Sequence, residues 1–183
     1  MTFTQTPLKG AYIITPEPFE DKRGLFERIF CEKEFMEISH SRKIVQINHS
    51  YTKERGALRG MHYQEPPMAE IKMVRCLKGS VYDVIVDIRK GSDTFLKWFG
   101  ETLSSENRRM MYVPEGFAHG FQTLEFDCEL LYFHTEFYSP DYERAVRFND
   151  PRIGIKWPLD ITEISEKDMS YSLISESFEG ILD

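Results

Sequence analysis

The stretch IKMVRCLKGSVYDVIVDIR, residues 71–89, decides the fold. In its second half Tyr82, Val84, Val86 and Ile88 form a wholly apolar set, whereas Val81, Asp83, Ile85 and Asp87 alternate in polarity. Period two is the spacing of a β-strand, here with a core face and a mixed face. KGS at 78–80 reads as a turn, so 70–77 and 81–89 are successive strands. Outward from there, similar strands are expected near 44–50, 57–64, 96–103, 109–113, 119–124 and 129–137, separated by Gly, Pro, Ser and Asn. Aromatic residues make up 14% of the chain, and their concentration in these runs suits strands better than helices. Only CEKEFMEI at 31–38 and a turn or two after Ser165 look helical. So many short antiparallel strands imply an all-β fold, a jelly-roll barrel with a few short peripheral helices. Such a barrel often carries a site in its mouth.

At 183 residues the chain is expected to form one domain over 1–183, large enough to bury a core without disulfide or metal staples. Lys and Arg number 23 against 30 Asp and Glu, a net charge of −7, with no basic block to mark a nucleic-acid partner. Cys31, Cys76 and Cys128 are an odd count without paired spacing, which argues against a disulfide framework and fits a reducing cytoplasm. The opening MTFTQTPLKGAYIITPEPF has no apolar core behind a basic start, and Asp83 and Asp87 interrupt the most hydrophobic later stretch. A cytoplasmic protein without a membrane partner is therefore expected.

Strand alternation places Leu58, Gly60, His62 and Gln64 on one face of 57–64, so His62 and Gln64 look into one cavity. Fifty residues on, YVPEGFAHGF carries Pro114, Gly116 and His119 in the order Pro-x-Gly-x-x-His. With Glu70, these stretches resemble the two motifs of the cupin superfamily. Metal-binding cupins place His-x-His and Glu in the first motif and His in the second. Here the second imidazole is replaced by Gln64, a weak ligand for zinc, iron or copper. A metal held by His62, Glu70 and His119 stays open as the second reading, and a non-catalytic sugar-binding cupin as the third. A lone strand histidine is more often a hydrogen-bonded core or rim residue than a catalyst; two spaced motifs in a β-rich chain reverse that preference.

The resemblance then narrows. PFEDKRG (18–24), QINHS (46–50), LRGMHYQ (58–64), IKMVRCLKGSVYDVIVDIR (71–89), VPEGFAHGF (113–121) and NDPRIGIKWPL (149–159) resemble the dTDP-4-dehydrorhamnose 3,5-epimerase family, metal-independent cupins of nucleotide-sugar biosynthesis. The resemblance covers nearly the whole chain in unbroken order. It implies an isomerase without a cofactor, inverting the ring carbons beside the ketone of a nucleotide-linked 4-keto-6-deoxyhexose. Removing a hydrogen next to a carbonyl needs a positioned base and a cationic or hydrogen-bonding partner for the enolate oxygen. Inversion also needs an acid on the opposite ring face.

By resemblance, His62 is the base and Asp168 of ISEKD its carboxylate partner, fixing the tautomer and favouring the imidazolium. Ser165-x-x-Asp168 also reads as a helix N-cap, and both roles can coexist. Lys72 matches the lysine near the ketone oxygen, against its ordinary reading as a solvated strand lysine. Tyr132 of ELLYFHTEFYSP matches the far-face acid, which requires a depressed phenol pKa or an enolate basic enough to take the proton. His119 is assigned to support. Arg23 and Arg59 match arginines flanking the diphosphate and sugar, Phe26 matches a further substrate-binding position, and Gln46, Asn48 and Tyr138 match positions lining the nucleotide. The family's Arg23 loop crosses to the neighbouring site, which implies a homodimer.

The chain departs from the family in places. Arg28, with Glu27 beside it, stands where many members have a glutamate five places after the arginine, and FHTEF follows Tyr132 where a lysine is often next. These departures leave open which nucleotide is carried and whether one or both carbons are inverted.

Overall fold

The structure, a computed structural model, describes residues 1–181. A six-stranded sheet has the order β1 (Thr2–Gln5), β2 (Tyr12–Thr15), β10 (Met110–Val113), β7 (Lys72–Lys78), β12 (Cys128–His134), β5 (Gln46–Thr52). A five-stranded sheet runs β13 (Glu143–Ala145), β6 (Leu58–Gln64), β11 (Phe117–Thr123), β8 (Ser80–Asp87), β9 (Trp98–Ser104). A hairpin of β3 (Phe19–Asp21) and β4 (Gly24–Phe26) stands apart. All these pairings are antiparallel. This is the double-sheet jelly roll of the cupin type. The strands expected from alternation are all present; β1, β2, the β3–β4 hairpin and β13 are additions, each of four residues or fewer and too short to show a period.

Between the sheets, Val74, Cys76, Met111, Val113 and Leu130 pack against Val81, Ile85, Leu103, Phe117 and Phe121. The outer face of the five-stranded sheet is buried as well: Val84, Val86 and Ile88 lie under Ile153, Ile155, Trp157, Ile174 and Phe178 of the C-terminal segment. The outer face of the other sheet is covered by Phe35, Phe30 and Ile38. Phe35 and Ile38 belong to the expected helical stretch, which forms α1 (Glu32–Phe35) and a 3₁₀ turn at Met36–Ile38, and Phe30 immediately precedes it. The mixed face of 81–89 is therefore not a wet face. Val81 and Ile85 lie in the barrel interior, and Asp83 is completely buried there.

The alternation expected for 57–64 breaks at Gly60. Leu58 pairs with Gln122 and Arg59 with Phe121, but His62 pairs with His119, so β6 carries one extra residue. Such a bulge reverses the facing of residues on either side of it. Phe121 belongs to the interior cluster and Met61 and Tyr63 to the outer one. Arg59, not Leu58 or Gly60, shares the inner face with His62 and Gln64. Glycine is required here: a Cβ on Gly60, at φ +131°, would lie 2.5 Å from the Gly120 Cα.

Candidate active site

The mouth of the barrel opens into a cavity of about 1070 Å³ lined from both sheets, with His62, Arg59 and His119 on the five-stranded wall and Tyr132, Lys72 and Asn48 on the six-stranded wall. Packed sheets stand ~10 Å apart, a gap that admits a sugar ring between the walls.

Asp168 reaches His62 because of how the chain returns. Leu58 bridges Ile164 in parallel and its N–H donates to the Glu163 carbonyl at 2.8 Å, which lays Ser165 beside β6. The Ser165 side chain caps α2 (Glu166–Ser170), accepting from the Asp168 N–H at 3.0 Å. The capped turn aims Asp168 at β6: Oδ1 meets His62 Nε2 at 2.7 Å and Oδ2 accepts from the Gly60 N–H at 3.2 Å. The two expected roles of the Ser165–Asp168 turn therefore coexist. Burial raises the Asp168 carboxyl, but the hydrogen bond and charge of His62 and the Gly60 amide outweigh it and hold the group below its usual range. An ionised carboxylate only accepts, so His62 Nε2 carries a proton, and in the neutral imidazole Nδ1 is the free acceptor.

Tyr132 approaches from the opposite wall. Its hydroxyl lies 3.1 Å from Ser50 Oγ, and its ring is edge-on to His119 and stacked on His134. Burial pushes the phenol above its usual range, with the Asp83 carboxylate adding to the effect. Of the two conditions for a tyrosine acid, the depressed pKa is thus not met. The phenol stays protonated and can only give its proton to a strongly basic carbon. Lys72 is not a solvated strand lysine: its side chain is 9% exposed and its Nζ lies 3.0 Å from Glu70 Oε1. His119 Nε2 meets Asp83 Oδ2 at 2.8 Å, with both side chains buried.

The remaining expected residues divide. Arg59 lines the cavity, its guanidinium steadied by Thr52 Oγ1 at 3.0 Å and the Tyr51 carbonyl. Asn48 and Tyr138 also line it, and Gln46 bonds both, giving its Nε2 proton to Asn48 Oδ1 and accepting from the Tyr138 N–H. Arg23 and Phe26 do not reach this chain's cavity. They sit on the β3–β4 hairpin, Phe26 is 74% exposed, and Arg23 is paired with Asp21. Arg28 lies outside as well, bound to Glu34.

The alternative metal trio does not converge. His62 is committed to Asp168, His119 to Asp83, and Glu70 to Lys72 and His134. Among the described residues no three His, Cys, Asp or Glu side chains are grouped to hold an ion. Gln64 fills no ligand slot: its Nε2 donates to the Met68 and Phe137 carbonyls and its Oε1 accepts from the Ser139 N–H.

Sequence reasoning missed several lining residues. Lys167 and Glu143 form a cluster in which Tyr138 donates its hydroxyl proton to Glu143 at 2.8 Å. His134 and Ser50 complete the wall around Tyr132. Only Lys167 had a signal, adjacency to Asp168; the others are reached through strand register.

A family model described as dTDP-4-dehydrorhamnose 3,5-epimerase matches residues 5–176. The chain is similar to the dTDP-4-dehydrorhamnose 3,5-epimerase of Methanothermobacter thermautotrophicus, 45% identical over 179 residues that cover 96% of this chain and 95% of that one. It superposes on the dTDP-6-deoxy-D-glucose-3,5-epimerase of Legionella pneumophila in complex with dTDP-4-keto-L-rhamnose, with a TM-score of 0.92 at 36% identity, covering 100% and 98% of the two chains. ChmJ, a 3'-monoepimerase from Streptomyces bikiniensis in complex with dTDP-quinovose, matches with a TM-score of 0.86 at 32% identity over 93% and 86%. Sequence, fold and cavity thus agree, and the chain belongs to the dTDP-4-dehydrorhamnose 3,5-epimerase family.

Proposed function

We propose that the protein converts dTDP-4-dehydro-6-deoxy-D-glucose to dTDP-4-dehydro-L-rhamnose by inverting both carbons beside the ketone. One observation carries this reading: His62 with Asp168, and Tyr132, stand on opposite walls of one cavity, with the buried Lys72 on the Tyr132 side. His62 Nδ1 takes the proton from the carbon next to C4, and the developing charge on the C4 oxygen is met by the Lys72 ammonium. Asp168 stabilises the imidazolium. Tyr132 then returns a proton to the carbon from the other face, and the proton held by His62 leaves to solvent, which reloads the phenol. Repeated at the second carbon, the cycle gives double inversion.

Arg59 and Lys167 supply positive charge for the diphosphate in an otherwise acidic protein, and Gln46, Asn48 and Tyr138 line the nucleotide. Arg23 and Phe26 act in a neighbouring copy within a homodimer. The β3–β4 hairpin, with Phe19 78% and Phe26 74% exposed, and the sheet edge at β5, with Ile47 exposed, support that assembly. The chain functions as one domain, and its three unpaired cysteines suit a reducing cytoplasm. No helix among the described residues is long and apolar enough to cross a membrane.

The second reading, a single-carbon epimerase, is favoured by the likeness to ChmJ. Deuterium wash-in from solvent separates the two. Label at C3 and C5 is expected; label at one carbon gives the second reading. No label with dTDP-, CDP-, GDP- or UDP-linked ketosugars rejects both.

A further inference from the structure

His134 has no part in the proton transfers above, yet it stands between two halves of the site. Its Nδ1 lies 2.7 Å from Glu70 Oε2, and the other oxygen of Glu70 holds Lys72. Its Nε2 lies 3.3 Å from Asn48 Nδ2. Burial raises the Glu70 carboxyl, but the charge of Lys72 and the His134 hydrogen bond outweigh it and bring it down to about 2. Glu70 is therefore ionised and can only accept.

The directions of the hydrogen bonds running from Tyr138 through Gln46, Asn48 and His134 to Glu70 are then fixed from both ends. At one end the Tyr138 backbone N–H, which can only donate, gives its proton to Gln46 Oε1. Gln46 Nε2 donates to Asn48 Oδ1, which leaves Asn48 Nδ2 to donate to His134 Nε2. At the far end the Glu70 carboxylate requires a proton on His134 Nδ1. One neutral tautomer, with hydrogen on Nδ1, satisfies both demands. His134 is held there by register, opposite Gln46 on β5 and Lys72 on β7, and by its ring stacked on Tyr132, 6.1 Å between centroids with the planes 22° apart.

We propose that His134 is a positioning residue which, through its Nδ1–H tautomer, ties the nucleotide-lining amides Gln46 and Asn48 to the Glu70–Lys72 pair and so sets the lysine against the ketone oxygen. This rests on the epimerase reading. The residue touches no reacting atom; it acts through Glu70. Without its nitrogens Glu70 loses one of two hydrogen-bond partners, and Lys72 follows the carboxylate as it shifts. The loss then falls on turnover rather than on nucleotide affinity, because the diphosphate is held elsewhere in the site.

The test compares wild type, H134F and H134Q for deuterium exchange into dTDP-4-dehydro-6-deoxyglucose, with dTDP affinity and thermal unfolding measured in parallel. H134F keeps a ring against Tyr132 without nitrogens, and H134L replaces it should H134F not fold. The nitrogen-free variant is expected to lose about 100-fold in kcat while its dTDP Kd moves less than about threefold. H134Q, which keeps one donor and one acceptor, is expected to recover at least about tenfold of that loss. A nitrogen-free variant that turns over like wild type, or no better and no worse than H134Q, overturns the proposal. If the wild type itself exchanges nothing, the epimerase reading fails and takes this inference with it. If the wild type exchanges and H134F matches it, only the role of His134 falls.

Discussion

Two histidine–aspartate pairs meet at one register position, since His62 of β6 lies directly opposite His119 of β11. Their hydrogen bonds are nearly alike, 2.7 Å to Asp168 and 2.8 Å to Asp83. Their surroundings are not. The His62 side chain is 32% exposed, and its carboxylate arrives from a capped turn at the other end of the chain. His119 is 7% exposed, and Asp83 comes from the adjoining strand and is fully buried. A base must meet its substrate and then lose the acquired proton, which needs an open nitrogen at a cavity wall. The His119–Asp83 pair lines the same cavity but is almost wholly buried, which suits it to stiffening the wall rather than to shuttling protons. Residue type is the same in both; reach and burial divide the labour.

The sharpest way to break this comparison is His62→Asn. Removing the base is expected to lower kcat for exchange at the sugar carbons by about 1000-fold or more, while dTDP affinity measured by calorimetry stays near wild type. Retained exchange would transfer the base role elsewhere. His119→Asn should invert the pattern. It leaves Asp83, whose Oδ1 already lacks a partner, as an uncompensated buried charge. Denaturant unfolding should show a loss on the order of 3 kcal/mol, with kcat down only about tenfold. A variant as stable as wild type but as inactive as His62→Asn would make the buried pair part of the chemistry.

That division was only half legible in the sequence. The motifs around His62 and His119 could be read, as could the strands of 44–137 and the turn after Ser165, because alternation and turn residues are local signals. What alternation could not report is which face is wet in a sandwich whose outer faces are also covered. Asp83 therefore read as part of a mixed face, although it is fully buried beside His119. Nor could it report the extra residue at Gly60, which turns Arg59 inward and Leu58 outward. His134 was one polar residue among the aromatics of ELLYFHTEF. Its role depends on Glu70, 64 residues away, and on a strand register no local pattern encodes. Asp168 was found through motif resemblance; its local signal spoke only of a helix cap.

The smallest expected effect tests how the open pair contributes to stability. Asp168 is held below its usual range in the folded protein, so over that acid window the unfolded chain binds more protons than the native one. Its contribution is complete above the unfolded carboxyl value, near 3.9, and is lost as pH falls through the folded one. Asp168→Asn removes the titrating group and keeps a hydrogen-bond acceptor. Thermal unfolding followed from pH 5 downward should therefore fall less steeply in the variant than in wild type, with the two curves converging at the acid end. Parallel curves would mean that the His62–Asp168 pair is as loosely coupled as a surface ion pair. The capped turn would then serve to orient the base without helping to hold the fold together.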